Sequence, residues 1–123
     1  EAYDDAGVGP ADVDVAEVHD CFTIAEVLAL ESLGLYEPGE AVTAARDGET
    51  HAAGEMPTNL SGGLKAKGHP VGATGVAQII SIAKLLRGRS AWSDELDDPR
   101  VGVAHNAGGT VASATVHVLE VTE

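Results

Sequence analysis

The sequence predicts an α/β domain with a mixed β-sheet and helices packed on it. Three observations carry that prediction. Strand-like segments at 13–18 and 101–105 are separated by helical apolar periodicity. The stretch 72–87 carries Val76, Ala77, Ile79, Ile80, Ile82, Ala83, Leu85 and Leu86 around most of its circumference, the pattern of a central, buried helix. A short Gly-containing turn joins 101–105 to 110–121, so those two strands must be antiparallel.

Taken in order, residues 1–7 read as the tail of a short helix closed by Gly7. Gly9-Pro10 is turn chemistry. Val13 to Val18 alternates enough for a short strand. Ile24, Val27, Leu28 and Leu30 give 22–33 a helical face, with Gly34 where a C-terminal cap belongs. Residues 36–58 are polar, punctuated and aperiodic, and read as a long loop. Residues 59–63 read as a short strand or a turn. The Gly-rich loop 68–75 then opens the long helix. Residues 88–99 form an acidic connection in which Trp92 anchors locally against the core. Asn106 to Gly109 is a tight turn. From Thr110 to Val121, Ala112, Ala114, Val116 and Val118 alternate with Ser113, Thr115 and His117.

The 123 residues fit one domain, 1–123, with one core. The missing initial Met suggests a fragment or a processed chain. No apolar run reaches the roughly 20 residues of a membrane span, and the first residues lack signal-peptide character. With 20 acids against 7 Lys and Arg, the net charge of -13 excludes bulk-charge binding of nucleic acid. The acidic, Lys-poor, small-residue composition resembles that of proteins from salt-loving organisms, where counterions screen self-repulsion. Fourteen acids lie in 1–55 and none in 56–93, which holds five cations. That gap marks either burial or the approach of an anionic ligand. The single Cys21 excludes an internal disulfide.

Three segments concentrate reactive residues. His19-Asp20-Cys21-Phe22 lies at a strand-to-helix junction, where a helix dipole favours thiolate. Gly68-His69-Pro70 holds a histidine rigidly in a loop whose glycines admit close approach, next to a helix N-terminus with free N–H donors. His105-Asn106-Ala107-Gly108-Gly109 places donors in a turn able to form an oxyanion hole. A zinc set is disfavoured, because neither paired histidines at helical spacing nor a CxxC is present. His51 and His117 read as surface residues.

Together and in this order, the three segments resemble the C-terminal domain of the thiolases, from Asp12-Val13-Asp14 to the final strand. Asn59 to Gly75 is similar to the family's GG-x(4)-GHP-x-G-x-[ST]-G stretch. His19-Asp20-Cys21-Phe22 is similar to the HDCF motif of the sterol-carrier-protein-2 type, where other bacterial thiolases have Asn-Glu-Ala-Phe. His105-Asn106 stands where those enzymes place the Cys of Cys-x-Gly. Archaeal acetyl-CoA acetyltransferases share the HDCF form.

The resemblance implies a cytoplasmic enzyme that condenses two acetyl-CoA molecules, or runs the thiolytic reverse. Coenzyme A thioester would be substrate, and no cofactor or metal is implied. His69 would activate a nucleophilic cysteine, Cys21 would be the acid/base, and His19 would position a water in the oxyanion hole. Asn106, Ala107 and Gly108 would offer backbone donors, with Gly68 and Phe22 against the substrate. The nucleophile belongs to an N-terminal domain missing here, so the chain would be half an active site, inactive alone, from a dimer or tetramer. The GHPxGxTG run argues against β-ketoacyl synthase and hydroxymethylglutaryl-CoA synthase relatives. Two alternatives remain: a non-catalytic thiolase-like partner in an acetoacetyl-CoA assembly, and a small Cys-His hydrolase using Cys21 and His69.

Overall fold

The computed structural model describes residues 1–109 and 112–122. A three-stranded sheet runs in the order β1 (Val15–Glu17), β2 (Val101–Gly108), β3 (Ser113–Glu120). β1 is parallel to β2, with Glu17 opposite Ala104, and β2 is antiparallel to β3. The mixed sheet follows from connection length: a short turn permits only an antiparallel pair, whereas β1 reaches β2 by a long helical crossover.

Helices cover both faces. Ala16, Val18, Val101 and Val103 pack with Ala29, Leu30 and Leu33 of α2 (Thr23–Ser32) and its cap, and with Ala41 of α3 (Ala41–Asp47). On the other face Val15 and Ala104 pack against Ile82 and Leu85 of α5 (Thr74–Leu86). Ile82 lies so close over β2 that a Cβ at Gly102 would strike it. A short α1 (Ala2–Ala6) ends at Gly7, whose φ of 71° is the left-handed cap the sequence predicts.

Several expectations are corrected. The supposed loop 36–58 contains α3, because Ala41 and Ala44 bury one face of a short helix. Of the two readings of 59–63 the turn holds, and it leads into a helix the sequence did not predict, α4 (Gly63–Lys67), while Thr58 makes only an isolated bridge to Ala16. β1 does not alternate between core and solvent. Both of its edges are paired and both faces covered, so Val15, Ala16 and Glu17 are all buried. α5 is buried along one stripe only; Val76 and Ile80 on its other side are exposed. Trp92 is exposed rather than anchored in the core. β2 continues through Asn106, Ala107 and Gly108, which pair with Thr115, Ala114 and Ser113, so these residues are strand and not turn. The expected start of the last strand, Thr110, lies outside the described residues. His51 and His117 are exposed, as expected. No helix among the described residues is long and apolar enough to cross a membrane.

Candidate active site

The reactive segments converge beyond the carboxyl end of β1, where β2 runs on from His105 to Gly108 past its parallel partner, a place where α/β sheets commonly leave room for ligands. His19 follows β1 by two residues and is buried. Its ring meets that of His69 edge to face, with centroids 4.8 Å apart and an interplanar angle of 84°. Burial, then the neighbouring His69, lowers the pKa of His19 below its ordinary value, against an upward pull from Asp20. Burial, then His19, likewise lowers that of His105. Both rings are therefore held towards the neutral form, able to act as a lone-pair acceptor and N–H donor together. The Nδ1 atoms of His19 and His105 are buried without a hydrogen-bond partner.

His69 sits on the exposed loop between α4 and α5, with its Nδ1 2.8 Å from the Thr74 hydroxyl oxygen. Two carboxylates from the β1 segment fix the stretch 61–67 that leads into that loop. Asp20 accepts the Leu64 N–H at 2.7 Å, so the start of α4 is anchored to the residue beside His19. Gly63 has φ 62°, and a Cβ there would overlap the Asp20 carboxylate, which explains the second glycine of the Gly-Gly pair. Glu17, with 0% of its surface exposed, accepts from the Ser61 N–H at 2.9 Å, the Ser61 hydroxyl at 2.6 Å and the Ser81 hydroxyl at 3.0 Å. Lys67 completes the set at 3.4 Å, two residues before His69. Asn59, in the left-handed region at φ 52°, accepts the Val18 N–H and donates to Glu26.

Cys21 is exposed and precedes Phe22, the N-cap of α2, by one residue. Phe22 is itself 71% exposed and Val71, two residues after His69, is 87% exposed. Gly68 has φ 82°, and nothing lies within 4 Å of where its Cβ would be. The structure thus brings His19, His69 and His105 together, with Cys21, Phe22 and Gly68 on the exposed segments beside them.

The third segment is placed differently from the expectation. Successive residues of β2 turn their backbone groups to opposite edges. Asp14 donates to the Val101 carbonyl and Val121 to the Arg100 carbonyl, so odd-numbered residues face the β1 side and even-numbered ones face β3. By that alternation the N–H groups of Asn106 and Gly108 belong to the β2–β3 ladder. Of the three expected donors, only Ala107 directs its N–H to the edge beyond the end of β1. The Asn106 side chain donates to Gln78, which in turn donates to the His105 carbonyl, so it tethers β2 to α5.

The sequence reading assigned no part to Glu17, Asn59, Ser61, Thr74 or Gln78. Glu17 carried a readable signal: it shares strand parity with Val15 and is flanked by Ala16 and Val18, a buried setting for a carboxylate. Gln78 was readable too, as a polar residue in an apolar helix.

The chain matches the thiolase C-terminal domain-like family over residues 1–121. It is 47% identical over 117 residues to an acetyl-CoA acetyltransferase of Methanothermobacter thermautotrophicus, covering 95% of this chain and 30% of the relative. It is 40% identical over 109 residues to the benzoylsuccinyl-CoA thiolase subunit BbsB of Thauera aromatica, covering 89% and 28%. It is 41% identical over 118 residues to sterol carrier protein 2 of Rattus norvegicus, covering 95% and 21%. Among solved structures, an Ltp2-ChsH2(DUF35) aldolase chain superimposes with a TM-score of 0.82 at 28% identity, covering 97% of this chain and 29% of that one. The chain thus spans less than a third of the length of each of these relatives. With the His69 loop set against His19 and the match running through nearly every residue, the chain belongs to the thiolase C-terminal domain-like family.

Proposed function

We propose that this chain supplies the acid/base half of a coenzyme A thiolase active site, the nucleophilic cysteine coming from outside these residues. The observation that carries the reading is the His69–His19 pair, set edge to face, with the stretch leading into the His69 loop braced by Asp20 and Glu17. In the condensing direction, His69 takes the proton of the nucleophilic thiol. The thiolate attacks acetyl-CoA and expels coenzyme A, whose sulfur takes back the proton held by His69, leaving an acetyl thioester on the enzyme. Cys21 as thiolate removes an α-proton from a second acetyl-CoA. The resulting carbanion forms the C–C bond and expels the enzyme thiolate, giving acetoacetyl-CoA. His19 positions a water that, with His69, binds one thioester oxyanion; the Ala107 N–H serves the second. Gly68 leaves space for the thioester, and Phe22 lies along it. Coenzyme A thioester is substrate, and neither metal nor cofactor takes part.

The apolar residues bare in this chain support the reading. Phe22, Ile24 and Leu28 at the start of α2, and Val71, Val76 and Ile80 on the His69 loop and α5, are all exposed. Large apolar residues left bare in this number mark interaction surfaces, and the N-terminal thiolase half would cover those beside His69 and Cys21. The longer protein would be a dimer or tetramer in the cytoplasm. A second reading, a thiolase-like subunit completed by a separate partner, draws on the same bare apolar residues and on the structural neighbour, an Ltp2-ChsH2(DUF35) aldolase.

Cys21→Ala in the full-length chain tests the assignment. Acetylation from acetyl-CoA should proceed, whereas solvent exchange of the acetyl-CoA α-protons, followed by deuterium incorporation, should fall by about 10²-fold or more. Exchange at the wild-type rate would remove Cys21 from the acid/base role.

A further inference from the structure

The histidine–threonine contact at the start of α5 carries more than anchorage. Thr74 is the first residue of the helix and only 2% exposed. Its hydroxyl oxygen lies 2.8 Å from His69 Nδ1 and 3.1 Å from the Pro70 carbonyl oxygen. That carbonyl is held in place by the first turn of the helix, since it also accepts the N–H groups of Ala73 at 2.8 Å and Thr74 at 3.0 Å. A threonine hydroxyl has a single proton to give. If that proton goes to Pro70, the hydroxyl offers His69 only a lone pair, and the contact is a hydrogen bond only when Nδ1 carries hydrogen. If instead the proton goes to His69, two oxygens face each other at 3.1 Å with none between them. Burial of Thr74 keeps water from supplying a replacement proton. Only one tautomer makes both close contacts hydrogen bonds.

We propose that Thr74 is a positioning residue that fixes neutral His69 as its Nδ1–H tautomer, so that the lone pair of the ring is on Nε2. The tautomer itself is independent of the thiolase reading. The use made of it rests on that reading: Nε2 is then the atom that takes the nucleophile's proton, and it becomes an N–H donor to the oxyanion once it has done so. The hydroxyl, not the bulk of the side chain, performs this role, so serine should replace threonine and the isosteric valine should not.

The test is ¹⁵N NMR of the histidine-labelled full-length chain at about pH 8, above the ordinary range of histidine titration. His69→Gln identifies the signals. Wild type and Thr74→Ser should show His69 with hydrogen on Nδ1. Thr74→Val should lose that preference, the signals moving to a tautomer mixture or to Nε2–H. Hydrogen on Nε2 in the wild type overturns the proposal, and so does an unchanged tautomer in Thr74→Val. Should the valine variant not fold, the wild-type and serine spectra still decide. A chain without thiolase activity that shows the Nδ1–H form would sink the functional reading and leave the tautomer assignment standing.

Discussion

His69→Ala in the full-length chain should slow acetylation of the nucleophile by about 10²- to 10⁴-fold, the usual effect of a positioned general base. The loss should appear in the first half-reaction, followed as acetyl-enzyme formation in a single turnover. Stability should change little, because the ring is exposed and its protein hydrogen bond is the one with Thr74. The contrast with Cys21→Ala, which spares acetylation and blocks α-proton exchange, separates the two half-reactions. Wild-type acetylation by His69→Ala would remove His69 from the role of base, whatever its position in the fold.

Glu17→Ala should have the opposite profile, a large loss of stability arising away from the reacting atoms. The substitution strips acceptors from the Ser61 N–H, two hydroxyls and Lys67, three of the four donors coming from the loop and helix that lead to His69. Removing one partner of a buried charge pair costs about 3–5 kcal/mol when the other is fully buried. The Lys67 side chain is 25% exposed and can regain water, so about 3 kcal/mol is expected here. Denaturant unfolding measures it directly, and the melting temperature should drop by on the order of 10 °C. Glu17→Gln, which keeps the shape and part of the bonding, should lose less. A change within about 0.5 kcal/mol for Glu17→Ala, the range of ordinary surface substitutions, would show that the four contacts do not brace the loop.

These two residues mark what the sequence reveals and what it hides. His69 is legible because its chemistry is local: a histidine between Gly68 and Pro70, before a buried helix, is constrained by its immediate neighbours. The sheet order is legible for a similar reason, since turn length dictates the antiparallel pair. The burial of Glu17 is legible, but its bracing role is hidden because its partners Ser61, Lys67 and Ser81 are 44 to 64 positions away, and nothing local says that they meet. α3 and α4 escape detection because each is short and buries only two residues, too few to set a helical period. The end of β2 was misplaced because Gly108-Gly109 reads as a turn starting at Asn106, whereas the strand pairing runs to Gly108 before the chain reverses. The gap in acidic residues across 56–93 has a double origin. Part of the segment is core, as Ile82 and Leu85 show, and part is the bare apolar face at Val71, Val76 and Ile80.

The central claim is that Cys21 acts on a proton while a cysteine outside this chain carries the acyl group. Peptide mapping of the full-length protein after a short incubation with acetyl-CoA and rapid acid quench tests it most directly. The acetyl group should be found on a cysteine beyond these 123 residues, with the peptide containing Cys21 unmodified. Acetylation of Cys21 itself would contradict the account and favour a Cys-His hydrolase built from Cys21 and His69.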